Sequence, residues 1–297
     1  MSGIVSRLVS AFSLAGLLSS CAVQIQMTCM VPSRVGLQKG ESLAIQGKTH
    51  LGEKVQGQLS RELQQGGFYT IKENADYLLR LDKVRENTLC YHTGTDDDDD
   101  EVFEETELST WVYLSRKEGG AYGYAHKYAI TTDGASGDVE ELCHDIARDL
   151  QPHRLIYTEK LAAPEGNPAF EQAADYCKAG MWQHAARAAE AAVQQTPHEP
   201  EAHYLQGLIQ RQLENYTASD ICFDKAYQLR PDTRYAEASK INKLMQMGAR
   251  YVRHQMKFNS SEGAAFNKRT LPAYHKKEDT PWSHLFFHYP LKSHTQP

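Results

Sequence analysis

Few residues in this chain combine the type and the spacing that chemistry needs, and each candidate group lacks a component. Residues 96–101 form an unbroken acidic run of five aspartates and Glu101, with Glu104, Glu105 and Glu107 close behind. Calcium would need such oxygens at the offsets of a folded loop, usually turned by a glycine inside it. Gly94 lies before the run, so a solvated, self-repelling segment fits it better. His284 and His288 stand four apart, which on a helix would bring both rings to one face. Zinc takes three or four ligands, and neither an HExxH pattern nor a carboxylate partner accompanies them. Pro281 and Pro290 bracket the pair and argue against a sustained helix, so aromatic packing around Trp282, Phe286, Phe287 and Tyr289 explains the segment better. Cys143 and His144 are sequence neighbours, which point apart on a helix and make no nucleophile–base pair. The Gly134-Ala135-Ser136-Gly137 turn breaks the spacing of a nucleophile elbow. No phosphate loop or dinucleotide fingerprint occurs. The expectation is a protein that is not an enzyme, with no cofactor, no metal and no catalytic residues. A metal-dependent hydrolase using the tail histidines is the remote alternative.

The elements that would have to position any site begin after an apolar start. Residues 8–18 are too short to span a bilayer, which takes roughly 20 apolar residues, but match the core of a signal peptide, with Arg7 ahead of them. Leu18-Ser19-Ser20-Cys21 follows. This resembles the lipobox of bacterial lipoproteins. The resemblance implies cleavage before Cys21, lipid on that residue, and a mature protein held on a membrane surface. Ala22, where an aspartate often marks inner-membrane retention, implies the periplasmic face of the outer membrane by the same family rule.

Net charge is −6 over 297 residues, yet residues from 234 onward carry a surplus of +7, which leaves −14 on residues 22–233. Such separation reports an interaction, within the chain or with a partner. An exported protein does not meet nucleic acid, so none is expected. The basic, aromatic tail over 257–297 reads best as folding over the acidic body, with anionic lipid or a partner as alternatives. Apart from Cys21 there are five cysteines, without a CxxC pair or a Cys/His cluster. Free, mostly buried thiols are the favoured reading, and a Cys90–Cys143 bridge is the alternative.

Residues 1–20 read as leader and 21–41 as a tether interrupted by Pro32, Gly36 and Gly40. From 42 to 160 the pattern is β-α-β-β-β-β-α. Val55, Leu59 and Leu63 share one helix face, and Gly66-Gly67 stops that helix. Tyr122, Tyr124, His126, Tyr128 and Ile130 share one strand face. Asp138 caps a second helix, with Leu142, Ile146 and Leu150 on its buried side. The expected class is α+β: an antiparallel sheet with helices on one face, followed by an all-α repeat domain. In element order the first part is similar to small α/β lipoprotein domains of the bacterial envelope.

From 165 to 256 a period of 34 residues runs through the chain. Ala173 and Gly207, Ala185 and Ser219, Ala192 and Ala226, and Pro197 and Pro231 are each one period apart. The pattern resembles tetratricopeptide repeats. Ala189, where Phe223 stands in the second copy, and Gln206 depart from it. Residues 235–256 are expected as a capping helix with Ile241, Leu244, Met245 and Gly248 inward. The resemblance implies a concave groove lined by Phe170, Ala174, Cys177 and Lys178, then Tyr204, Leu208, Arg211 and Gln212. That groove would hold other envelope proteins or peptides. The functional expectation is therefore a lipid-anchored envelope protein that binds partners through this groove. The alternative is a structural subunit of an envelope export or assembly complex. The sequence leaves the oligomeric state open.

Overall fold

The computed structural model describes residues 22–93, 101–117, 123–133, 138–256, 273–276 and 282–286. Residues 1–20, expected as a leader, Cys21, the aspartates 96–100, residues 134–137, His288 and most of the basic tail lie outside these residues. The chain divides into two compact units, one from 1–29 and 156–246, the other from 30–155 and 247–297. Residues 22–29 fall in the same unit as the helices between 168 and 229.

In the sheet unit the order is β2 (Ser42–Gly47), α1 (His50–Gly66), β3 (Thr70–Ile71), β4 (Tyr77–Thr93), β5 (Glu101–Arg116), β6 (Tyr124–Asp133) and α2 (Val139–Leu150). The α+β class expected from the sequence is the class observed. The strands lie in the order β3-β2-β4-β5-β6. The long hairpins β4–β5 and β5–β6 are antiparallel, whereas β2 runs parallel to both β3 and β4. Helix α1 explains the parallel pairs: it carries the chain back to the starting end of the sheet, as a parallel connection requires. Thr49 accepts a hydrogen bond from the Gly52 N–H at the N-terminus of α1, and Gly67 closes it at φ 63°. Only glycine adopts that left-handed geometry without strain. Asp138 accepts from the N–H groups of Glu140 and Glu141 and so starts α2.

Val55, Leu59 and Leu63 of α1, and Leu142, Ile146 and Leu150 of α2, are buried with Leu79, Leu81, Leu108, Val112 and Ile130 of the sheet. Each such side chain contributes about 1.5–3 kcal/mol on leaving water. The Tyr124–Tyr128 stripe faces the same interior. The two hydroxyls lie 2.6 Å apart, Tyr128 donates to Asp149 at 2.9 Å, and Arg34 pairs with Asp149 at 3.0 Å. Burial, together with the Asp149 carboxylate, holds both phenols above their ordinary range, Tyr124 at about 12.

Of the expected tether 21–41, residues 22–41 are described, and they are ordered structure. β1 (Ala22–Val31) buries Ile25, Met27 and Cys29 while Gln24 and Gln26 stay exposed, the period of two that marks a strand. The Ser33 hydroxyl donates to the Leu150 carbonyl at 2.6 Å. Gln255 grips the Ser33 N–H, the Ser33 carbonyl and the Val35 carbonyl at 3.0–3.1 Å. The prolines and glycines place bends between these anchored points and do not loosen the segment.

In the other unit β1 pairs with β7 (His153–Ala162), and helices α3 (Pro168–Lys178), α4 (Trp182–Gln195), α5 (Pro200–Gln212) and α6 (Tyr216–Leu229) follow. α4 and α6 start one period apart. Gly180 at φ 70° and Glu214 at φ 64° make the turns ahead of them. Gly207 fits the close crossing of α5 and α6: a Cβ there would lie 2.6 Å from the Phe223 ring. α7 (Thr233–Gln255) buries Tyr235, Ala238, Asn242, Met245, Ala249 and Val252. Asn242, not Ile241, faces inward because its amide donates to the Tyr216 carbonyl and to Asp220, each at 2.8 Å.

Candidate functional site

The inner face of the helical array is where the sequence places a binding groove. Phe170, Tyr204, Leu208, Arg211 and Gln212 do converge on buried positions of α3 and α5, as do Ala174 and Cys177. Lys178 does not join them; it is exposed and pairs with Asp175 one turn back at 2.9 Å. The buried residues are taken up by the chain itself. Gln212 donates to the Thr28 hydroxyl at 2.8 Å and accepts from the Thr28 N–H at 2.9 Å. Glu159, on β7, accepts from Tyr204 and from Arg211, each at 3.1 Å. The Arg211 guanidinium also lies over the rings of Tyr157 and Phe223, at 5.8 and 5.4 Å. Arg211 has Nε and Nη1 without hydrogen-bond partners, and these two rings supply the negative faces that a buried cation can use instead.

A second charged cluster closes the same unit. Glu201, 2% exposed, accepts from Tyr235 at 2.6 Å and from Arg230 at 3.0 Å, and also pairs with Arg234. Arg234 stacks over Tyr204 at 4.6 Å. The side chains expected to line a groove make these bonds to β1 and β7: Gln212 to Thr28, and Tyr204 and Arg211 to Glu159.

The other candidate lies on the open face of the sheet, opposite the side that α1 and α2 cover. A β-bulge between Asp82 and Arg85 decides its composition. Asp82 opposes Trp111 and Arg85 opposes Ser109, so three steps along β4 match two along β5. The extra residue turns Arg85 to the outer face, where a regular strand would have directed it inward. Lys83 at the bulge holds φ 52°, a strained value for a side-chain-bearing residue, and is exposed. Together with Glu107, Ser109, Trp111 and Lys127 these side chains line a cavity of about 270 Å³. It carries three cations against one carboxylate, and Lys127 lies 3.9 Å from that Glu107. Trp111 is 36% exposed and stacks with Tyr113 at 6.1 Å, while Arg80 sits over Tyr113 at 5.1 Å. The sequence reading singled out neither Trp111 nor Tyr113, nor the bulge that adds Arg85.

The remaining sequence candidates separate. Cys143 is buried, its thiol donates to the Val55 carbonyl at 3.4 Å, and burial pushes it up to about 12. His144 faces Glu62 at 3.9 Å on another side of α2. No disulfide joins the five described cysteines. His284 lies in the short α8 (Trp282–Phe286). Among the described residues no group of three or more His, Cys, Asp or Glu is arranged to hold a metal, and no helix is long and apolar enough to cross a membrane.

No protein-family model matches the chain, and no curated protein matches it. Solved structures similar to it include a minor lipoprotein from Acinetobacter baumannii, at 11% identity over 36% of this chain and 90% of that one, with a TM-score of 0.29. They also include PelC dodecamers from Paraburkholderia phytofirmans in two crystal forms. A point variant shows 18% identity over 42% of this chain and 95% of that one, with a TM-score of 0.27. The second form shows 21% identity over 42% and 98%, with a TM-score of 0.28. These likenesses are weak.

Proposed function

We propose that this chain is a lipid-anchored envelope protein that works by holding other polypeptides and catalyses nothing. The anchor rests on the short apolar leader and the Leu-Ser-Ser-Cys ending at Cys21. The helical array, tetratricopeptide-like in its period, serves as a closed brace around β1 and β7. The docking surface is the open face of the sheet. One observation carries this reading: Trp111 stays 36% exposed beside Lys83, Arg85 and Lys127, on the sheet face opposite α1 and α2. An exposed tryptophan among arginines and lysines is the composition of an energetic contact centre.

The test places a photo-crosslinking amino acid at position 111 in the full chain, expressed in cells. Polypeptide adducts that are lost with Arg85→Glu support the reading. Absence of any polypeptide adduct would sink it. The anchor is read separately: Cys21→Ser is expected to release the protein from membranes, and a native residue 21 without fatty acid would overturn that part.

A further inference from the structure

We infer that the basic cavity on the open sheet face receives the acidic segment 96–100 of a second copy of this chain. The inference rests on the docking reading above and names the partner.

The cavity presents Lys83, Arg85 and Lys127 with Glu107 as the one opposing carboxylate, around the flat ring of Trp111. A match must therefore be strongly anionic and narrow enough for about 270 Å³. The chain itself contains such a segment, five consecutive aspartates between β4 and β5. Its own cavity is out of reach. The last pair of the hairpin is Thr93 with Glu101, and the cavity lies at the pair Arg85 with Ser109, eight residues back along β4. At about 3.4 Å per residue this is roughly 27 Å. Seven residues join Thr93 to Glu101, and a chain of that length tied at both ends reaches at most about 12 Å beyond them. The acidic run can meet a cavity of this composition only on another molecule.

The same geometry specifies how two copies meet. The cavity and the two residues that flank the acidic run, Thr93 and Glu101, lie on one long hairpin, separated along its length. Two copies laid with these hairpins antiparallel bring each run to the other's cavity at once, an isologous arrangement that uses both contacts. The basic tail is a poor occupant, since like charge would face like charge. Salt weakens the contact, because Lys83, Arg85 and Lys127 are exposed and screened.

The experiment uses an equal mixture of isotopically light and heavy full-length chain in detergent at low ionic strength. A zero-length carbodiimide joins carboxylates to lysine amines. Light–heavy links between segment 96–100 and Lys83 or Lys127 are expected, with sedimentation showing a dimer that dissociates in high salt. Links confined to single chains, links from the segment to lysines elsewhere, or a monomer at every ionic strength would overturn the inference. Lys83→Glu with Arg85→Glu should raise the dissociation constant at least about tenfold. Mixing that variant with one carrying lysines at 96–100 should restore association, and failure of this charge exchange also overturns it. Adducts at position 111 to other proteins, without self-adducts, would leave the general docking reading standing and remove this one.

Discussion

The inner face of the helical array and the outer face of the sheet use the same residue vocabulary for opposite ends. Both combine arginine, aromatic rings and a carboxylate. On the array, Arg211 is 4% exposed, fixed to Glu159 and enclosed by Tyr157 and Phe223. On the sheet, Arg85 and Lys83 are exposed around Trp111. Composition alone therefore does not separate a covered face from an open one. What separates them is whether the same chain supplies a strand to cover the face. β1 and β7 do so for the array, and within the sheet unit no described helix or strand lies over the cavity.

The largest expected effect comes from opening the filled side. Glu159→Ala leaves Arg211 buried without its carboxylate and should cost about 3 kcal/mol, read by urea denaturation. A loss under about 0.5 kcal/mol would mean that the array face is more open than its geometry indicates. An intermediate effect, about 2 kcal/mol when read near pH 5, belongs to His153, buried at the start of β7. Burial, aided by Arg148 and Arg34, holds the His153 imidazole down at about 3. The unfolded chain takes up that proton below about 6.5, whereas the folded chain does not until near 3. Stability is therefore complete above about 6.5 and falls as the pH drops toward 3, by up to about 1.4 kcal/mol per pH unit. His153→Phe should flatten that part of the pH profile. The smallest effect, of opposite sign, is on the open side. Lys83→Gly relieves the φ of 52° and should gain about 0.5 kcal/mol, since no packing is lost.

The helices were legible wherever period and punctuation agreed. Val55, Leu59 and Leu63, the Asp138 cap and the glycine stop at 67 all stand where the pattern puts them, because these are local effects. β1 was hidden by Pro32, Gly36 and Gly40, which drew attention from the alternation at 25, 27 and 29. The fate of Tyr204 and Arg211 was not legible at all. Their burial depends on Glu159 and Thr28, residues far away in sequence that no local period connects to α5. The outward turn of Arg85 depends on a bulge that leaves no residue signature, since Lys83 stands where a glycine would have announced it.

The pairing of Thr28 with Gln212 has a consequence for biosynthesis. The partners are 184 residues apart, so the opening strand is made long before the surface that shelters it. At roughly 5–20 residues per second, ribosomes leave Ile25 and Met27 uncovered for about 10–35 seconds.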